Sequence, residues 1–254
     1  MSAWLSVDTD DLVHFPSNRG HPTRSSEPMS NWRTEGYRAS KKLLEATDSF
    51  IEWAKGGPPV TIFLIAEQLD CPDFVNRMDV LLKMPNITIG CHGWGHRCWS
   101  AWPEDVNGFT EMLAQSRNRI SDYAGPSWRP WFRAPGGYIA TWMAGPLAAA
   151  GFRLDSSVNP SRWVNRKMGG NWRSVLNSIT NCGMIERPWL TSKFGPACGP
   201  ALHLFPFSFF ARRAWKRSSS IISDHPENED VIALYWHLLD HGRASGKWKP
   251  PLNQ

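Results

Sequence analysis

Ile87-Thr-Ile-Gly-Cys91 runs straight into His92-Gly-Trp-Gly-His96. The first five residues, apolar or small with two isoleucines, read as a short strand buried on both faces. That strand ends on a histidine. Spaced i, i+4, His92 and His96 would fall on one side of a helical turn, the usual way to offer two nitrogen ligands to a metal. Gly93, Trp94 and Gly95 between them look more like a loop at a strand end than a helix interior. A lone histidine is more often a structural hydrogen-bonding group. Two of them in a glycine-rich loop directly after a buried strand favour the ligand reading.

Residues 3–8 and Val60–Ile65 read as strands upstream, and Trp131–Arg133, Phe152–Leu154, Met184–Glu186 and Val231–Trp236 follow downstream. Helical periodicity runs through 34–55, where Leu43, Leu44, Phe50, Ile51 and Ala54 form a stripe, through 72–84, and through 103–123. Strands alternating with helices imply parallel β/α units. Seven such strands predict an α/β fold, a distorted (β/α)7 barrel, closed or incomplete, built from one domain over 1–254. Chemistry in such folds collects at the C-terminal ends of the strands. Residues 15–31, rich in Ser, Pro, Arg and Gly, read as a long excursion that covers a site.

Composition narrows the class without naming it. At 41% hydrophobic and 20% charged residues the 254-residue chain is of globular type, and no run reaches the ~18 apolar residues that span a bilayer. The N-terminus lacks a basic region and is acidic by residue 8, so no signal peptide is expected. Five scattered cysteines fit reduced thiols in the cytoplasm. The net charge of +5 favours anionic partners mildly, with basic clusters at 162–173 and 212–217, but no nucleic-acid motif accompanies them. Fifteen tryptophans suit sugar rings and cores equally.

Four further clusters follow predicted strands. In Asp8-Thr9-Asp10-Asp11, strand alternation puts Asp8 and Asp10 on one face and turns Thr9 and Asp11 away. Two carboxylates on one face repel unless a cation or proton lies between them. A solvated turn is the bland alternative. Arg133-Ala-Pro-Gly136-Gly-Tyr138 offers a fixed charge and exposed backbone N–H groups, or simply a strand-to-helix turn. Asp155, in Gly151-Phe-Arg-Leu-Asp155-Ser-Ser, and His237, in Leu234-Tyr-Trp-His237-Leu, each place an ionisable group after an apolar run. Cys91 and Cys98 flank the histidines, but alternation turns Cys91 away from His92 and no second cysteine pair has zinc-ribbon spacing.

Asp-x-Asp, HxxxH, RxPxG, GFxxDSS and strand-His-Leu, in that order over residues 3–240, resemble the polysaccharide deacetylase family of carbohydrate esterases. The resemblance implies a distorted barrel with one divalent metal, usually Zn2+, held by Asp10, His92 and His96. It further implies Asp8 as general base, Arg133 holding Asp8, Asp155 helping to orient Arg133, the Gly136 N–H in an oxyanion hole, and His237 as general acid, with Leu238 or Trp236 near the acetyl methyl. Two departures stand out. Adjacent aspartates are commoner in the first motif, so an alignment pairing Asp10 with Asp11 stays open, and Gly93 occupies a position where Ser or Thr usually braces the loop.

The expected substrate is an N-acetylated saccharide, carried on a nucleotide or lipid diphosphate during O-antigen-like surface-polysaccharide synthesis. A related amidohydrolase acting on a non-sugar C–N bond and a catalytically silent sugar-binding relative are the alternatives. Oligomeric state is left open. The aromatic stretch Leu204-Phe-Pro-Phe-Ser-Phe-Phe210 reads as buried core in preference to a membrane contact.

Overall fold

A computed structural model of the chain describes residues 2–29, 31–243 and 250–252. Seven parallel strands form one sheet: β1 (Ser2–Asp8), β2 (Val60–Leu64), β3 (Ile87–Cys91), β4 (Trp128–Phe132), β5 (Leu154–Asp155), β6 (Ile185–Glu186) and β7 (Val231–His237). Their spatial order is β6-β5-β4-β3-β2-β1-β7. The sheet curls until its edges meet. Just beyond β6, the Leu190 N–H donates to the Ala233 carbonyl (3.0 Å) and the Ala233 N–H to the Pro188 carbonyl (3.2 Å), around an isolated parallel bridge from Trp189 to Ala233. This is the distorted (β/α)7 barrel expected from the sequence, its seam held by a bridge where a full strand ladder is missing.

Register then places the site. Asp8 pairs with His237, Leu64 with Cys91, Cys91 with Phe132, Phe132 with Asp155, and Asp155 with Glu186. The C-terminal ends of the strands are therefore level, and His92 and Arg133 stand one residue beyond their strands on the same rim. β1 is central and buried on both faces, which explains its near-continuous apolar run. Trp4 fills the barrel interior edge-on to Phe63 and Trp131, with its indole N–H satisfied by Thr61 at 2.9 Å.

Among the described residues six α-helices cover the outside: α1 (Lys41–Ala54), α2 (Pro72–Leu82), α3 (Val106–Ala124), α4 (Ala144–Ala149), α5 (Trp172–Asn181) and α6 (Phe207–Ser218). The first expected helix starts later than its periodicity suggested. Residues 34–40 stay outside the helix, because Ser40 caps α1 through the Leu43 N–H (3.1 Å) and is itself tied to Asp11. Among the described tryptophans eight are buried, and Trp163 alone is strongly exposed (75%); they are mostly core. The core placement expected for 204–210 is overturned. Phe205 is 91% and Phe209 64% exposed, because α6 turns only Ala211 and Trp215 fully inward. Among the described residues no helix is long and apolar enough to cross a membrane.

Candidate metal and catalytic site

The backbone after β1 sorts its four polar residues. Asp8 and Asp10 face the barrel mouth, both 3% exposed. The Thr9 hydroxyl turns to β2, donating to Phe63 O (3.2 Å) and accepting from the Ile65 N–H (3.2 Å). Asp11 points away from the cluster. It accepts from the N–H groups of Leu12 (2.7 Å) and Ser40 (2.7 Å), from the Tyr37 hydroxyl (2.9 Å) and from the Ser40 hydroxyl. With its lone pairs so engaged, Asp11 is a structural cap, and Asp10 is the carboxylate that meets the histidines.

His92 and His96 do not share a helical turn. His92 follows β3, and 93–98 is loop, with Gly93 (φ 76°) and His96 (φ 63°) both left-handed. A non-glycine residue held there costs roughly 1–3 kcal/mol, which the surrounding contacts must offset. The missing Ser/Thr brace after His92 is replaced by main chain: the Ala66 and Glu67 N–H groups donate to the carbonyls of Gly93 (3.0 Å) and Trp94 (3.1 Å). His92 Nδ1 lies 2.8 Å from the Arg133 carbonyl. That contact puts the ring proton on Nδ1 and turns the Nε2 lone pair toward the carboxylates.

Around that lone pair the distances are short. His92 Nε2 stands 3.7 Å from Asp10 Oδ2 and 4.0 Å from Asp8 Oδ2, His96 Nε2 touches Asp10 Oδ1, and His237 Nε2 is 3.9 Å from Asp10 Oδ2. Ligand atoms of Asp10, His92 and His96 all fall within 4.8 Å of one another, as do those of Asp8, Asp10 and His237. Yet Asp10 Oδ2, His92 Nε2 and His96 Nε2 are buried without a hydrogen-bond partner among the described residues. Buried lone pairs that converge on one point and satisfy nothing else fit a cation. Burial pulls the His92 imidazole down, but the Asp8 and Asp10 carboxylates raise it overall. Burial would raise the Asp10 carboxyl, but His96 and His92 hold it well below the usual range. Burial pulls the His96 imidazole down, toward the neutral form a ligand needs.

Arg133 is completely buried and aims the second carboxylate. Its guanidinium donates to Asp8 Oδ1 (2.7 Å), Ser6 Oγ (2.8 Å), and the carbonyl (2.9 Å) and hydroxyl (3.0 Å) of Ser156. It lies flat over Phe63, 4.2 Å from the ring centroid. Asp155 reaches this group indirectly. Its carboxylate accepts from the Ser157 hydroxyl (2.7 Å) and N–H (3.0 Å), and Ser157 Oγ in turn accepts from the Ala134 N–H (2.8 Å), beside Arg133.

His237, at the end of β7, Gly136 (φ 58°) and His96 line a cleft of about 460 Å³ that opens over Asp10. Its apolar wall is Leu12, Phe15, Tyr235 and Leu239; Trp236 and Leu238 are packed inside instead. Arg24, Lys42, Lys167 and Arg243 also line the cleft, Arg243 donating to Asp240 (2.9 Å) of the same lining; of these cations only Lys167 falls in a basic cluster noted in the sequence. Sequence reading also missed His14 and Glu67. Glu67, fully buried, receives His14 Nε2 (2.8 Å), Arg19 and the Thr34 hydroxyl, and His14 Nδ1 accepts from the Asp11 N–H at 2.9 Å. The 15–29 excursion thereby closes over the histidine loop.

No protein-family model and no curated protein matches the chain. Solved structures do share its fold. A "putative polysaccharide deacetylase" from Mycobacterium smegmatis superposes with a TM-score of 0.57 at 14% identity, over 95% of this chain and 78% of that one. A 4-alpha-glucanotransferase from Thermococcus litoralis gives 0.51 at 14% identity, over 97% of this chain but 35% of that one. A "putative polysaccharide deacetylase involved in o-antigen biosynthesis" from Bordetella bronchiseptica gives 0.40 at 15% identity, over 78% and 65%. The Mycobacterium smegmatis structure thus gives the chain a fold of the polysaccharide-deacetylase kind, in keeping with the order of its motifs.

Proposed function

We propose that this chain is a metal-dependent deacetylase that hydrolyses the N-acetyl group of an acidic saccharide. One observation carries the reading. Asp10, His92 and His96 converge with unmatched lone pairs beside a second carboxylate, Asp8, that Arg133 holds in place. A divalent cation such as Zn2+ bound by the first three would polarise the amide carbonyl and acidify a water molecule.

The remaining work falls to the chain's own groups. Asp8 takes the proton from the attacking water, since its Oδ2 faces the cluster while Arg133 occupies Oδ1. His237, partly exposed on the far side of Asp10, delivers a proton to the departing amine. The Gly136 N–H, at the cleft, supports the carbonyl oxygen as it gains charge. Arg24, Lys42 and Lys167, which line the cleft, bind the acidic part of the saccharide, such as a phosphate. Acetate assay on zinc-loaded protein with N-acetylated sugars, nucleotide sugars and glycans tests this. Zinc uptake without acetate release from any of them would overturn it.

A further inference from the structure

The positive charge of this protein is gathered in one part of the chain. Residues 156–223 contain ten Lys and Arg residues and a single acidic residue, Glu186, whereas the remainder contains 18 basic and 22 acidic residues. Glu186 is buried, so it offers the surface of that part no negative charge. The modest net charge of +5 thus conceals a strongly cationic segment in an otherwise acidic chain.

The same segment carries six of the ten large apolar side chains that the fold leaves uncovered among the described residues. Trp163 (75% exposed), Phe194 (48%), Leu204 (57%), Phe205 (91%) and Phe209 (64%) belong to it. Partly buried rings tie them into two clusters: Trp163 meets Phe207 (centroids 6.3 Å) and shares a cavity lining with Leu204, and Phe194 and Phe209 both meet Phe210 (4.2 and 5.4 Å). On α6 the outward positions are Phe209, Arg213, Lys216 and Arg217, an aromatic residue followed by three cations along one helix face. Exposed aromatic clusters with basic residues beside them are a costly surface to leave in water. It matches the interface of an anionic bilayer, where rings enter the headgroup region and Lys and Arg meet lipid phosphates.

An apolar cavity of about 290 Å³ opens in this patch between Trp163, Leu204 and Phe207. Its lining shares Lys167, Pro200 and Tyr235 with the cleft over Asp10, so the two spaces adjoin. We infer that this face docks the protein onto an anionic membrane surface, with the cavity mouth toward the lipid. Neither the metal cluster nor hydrolysis enters this inference, so it stands apart from the proposed activity.

Co-sedimentation of the purified full chain with phosphatidylcholine vesicles, and with equimolar phosphatidylcholine and phosphatidylglycerol, tests it. The expected result is binding at least about tenfold tighter to the anionic vesicles, weakening as salt is raised. Arg213→Gln/Lys216→Gln/Arg217→Gln should lose about 100-fold and Phe205→Ser/Phe209→Ser about tenfold. Lys83→Gln, an exposed cation outside the face, should bind like the parent. Equal thermal midpoints show that each variant is folded. Absence of anionic-vesicle binding at low salt would overturn the inference. So would an equal loss in Lys83→Gln, or retention on nucleic acid in place of vesicles.

Discussion

Arg133 Nη1 donates to Asp8 Oδ1 at 2.7 Å, and the other oxygen of the same carboxylate lies 4.0 Å from His92 Nε2. Asp8 is thus divided between a buried cation that fixes it and a cluster it can serve. Asp10 has no such anchor; its carboxylate faces His92, His96 and His237. The two aspartates lie two residues apart yet stand in different electrostatic settings, and this predicts different phenotypes.

Asp8→Asn should lower turnover by roughly 10²–10⁴-fold, the usual worth of a positioned base, while zinc affinity stays within a few-fold of the parent. Asp10→Asn removes a ligand and should weaken zinc binding by about 100-fold or more, beyond the effect of losing an outer-shell partner. Zinc titration with a competing chelator, run beside acetate release, separates the two. Loss of zinc in Asp8→Asn with retention in Asp10→Asn would exchange their roles.

Asp11→Ala should behave as a stability variant. It leaves the N–H groups of Leu12 and Ser40 and two hydroxyls without their acceptor, a loss of about 3 kcal/mol or more. Urea unfolding reads that loss directly. Zinc affinity should fall far less than in Asp10→Asn. A variant that kept its stability and lost zinc would restore the alignment that pairs Asp10 with Asp11.

Much of this was readable in the sequence, for local reasons. Strand alternation separates Asp8 and Asp10 from Thr9 and Asp11, and an apolar strand running into His92 marks a barrel rim. What stayed hidden depends on approach in space. Nothing near His14 announces Glu67, 53 residues later, and nothing near Asp155 announces Glu186. The loop reading of 93–95 holds, but the left-handed backbone at 93 and 96, which replaces the helical turn the i, i+4 spacing also allowed, depends on contacts with the β2 loop and the 15–29 excursion. Residues 204–210 have the composition of core, and composition does not say which neighbours will cover them.

Glu186 gives a pH dependence that hydrophobic patterning could not suggest. Burial first, and then the charge of Asp155, push its carboxyl well above the ordinary 4.5. The folded state therefore holds a proton that the unfolded chain has released, and stability falls as pH rises from the ordinary glutamate value to the raised one. Above that window the loss is constant. Glu186→Gln keeps an acceptor for the Val158 N–H (3.1 Å) and cannot ionise. Its thermal midpoint should match the parent below the ordinary glutamate value and exceed it increasingly as pH rises, levelling off once pH passes the raised value. Parallel curves for the two proteins would show that Glu186 does not carry the effect.

Gly20 tests whether the excursion positions His96. Its φ of 95° suits glycine, and a Cβ there would fall on the carbonyl oxygen of His96. Its own carbonyl accepts from the Cys98 N–H and the Trp102 indole, both at 2.9 Å. Gly20→Ala must therefore push the excursion off the histidine loop or shift the left-handed turn that presents His96 to Asp10. Gly36 is the control, since its φ is 71° and a Cβ there meets nothing within 4 Å. Both substitutions should cost about 1–2 kcal/mol for the backbone. Gly20→Ala alone should also weaken zinc binding, by about tenfold, because the ligand itself is displaced. Equal melting losses with unchanged zinc affinity in both would reduce Gly20 to a turn residue and detach the excursion from the metal site.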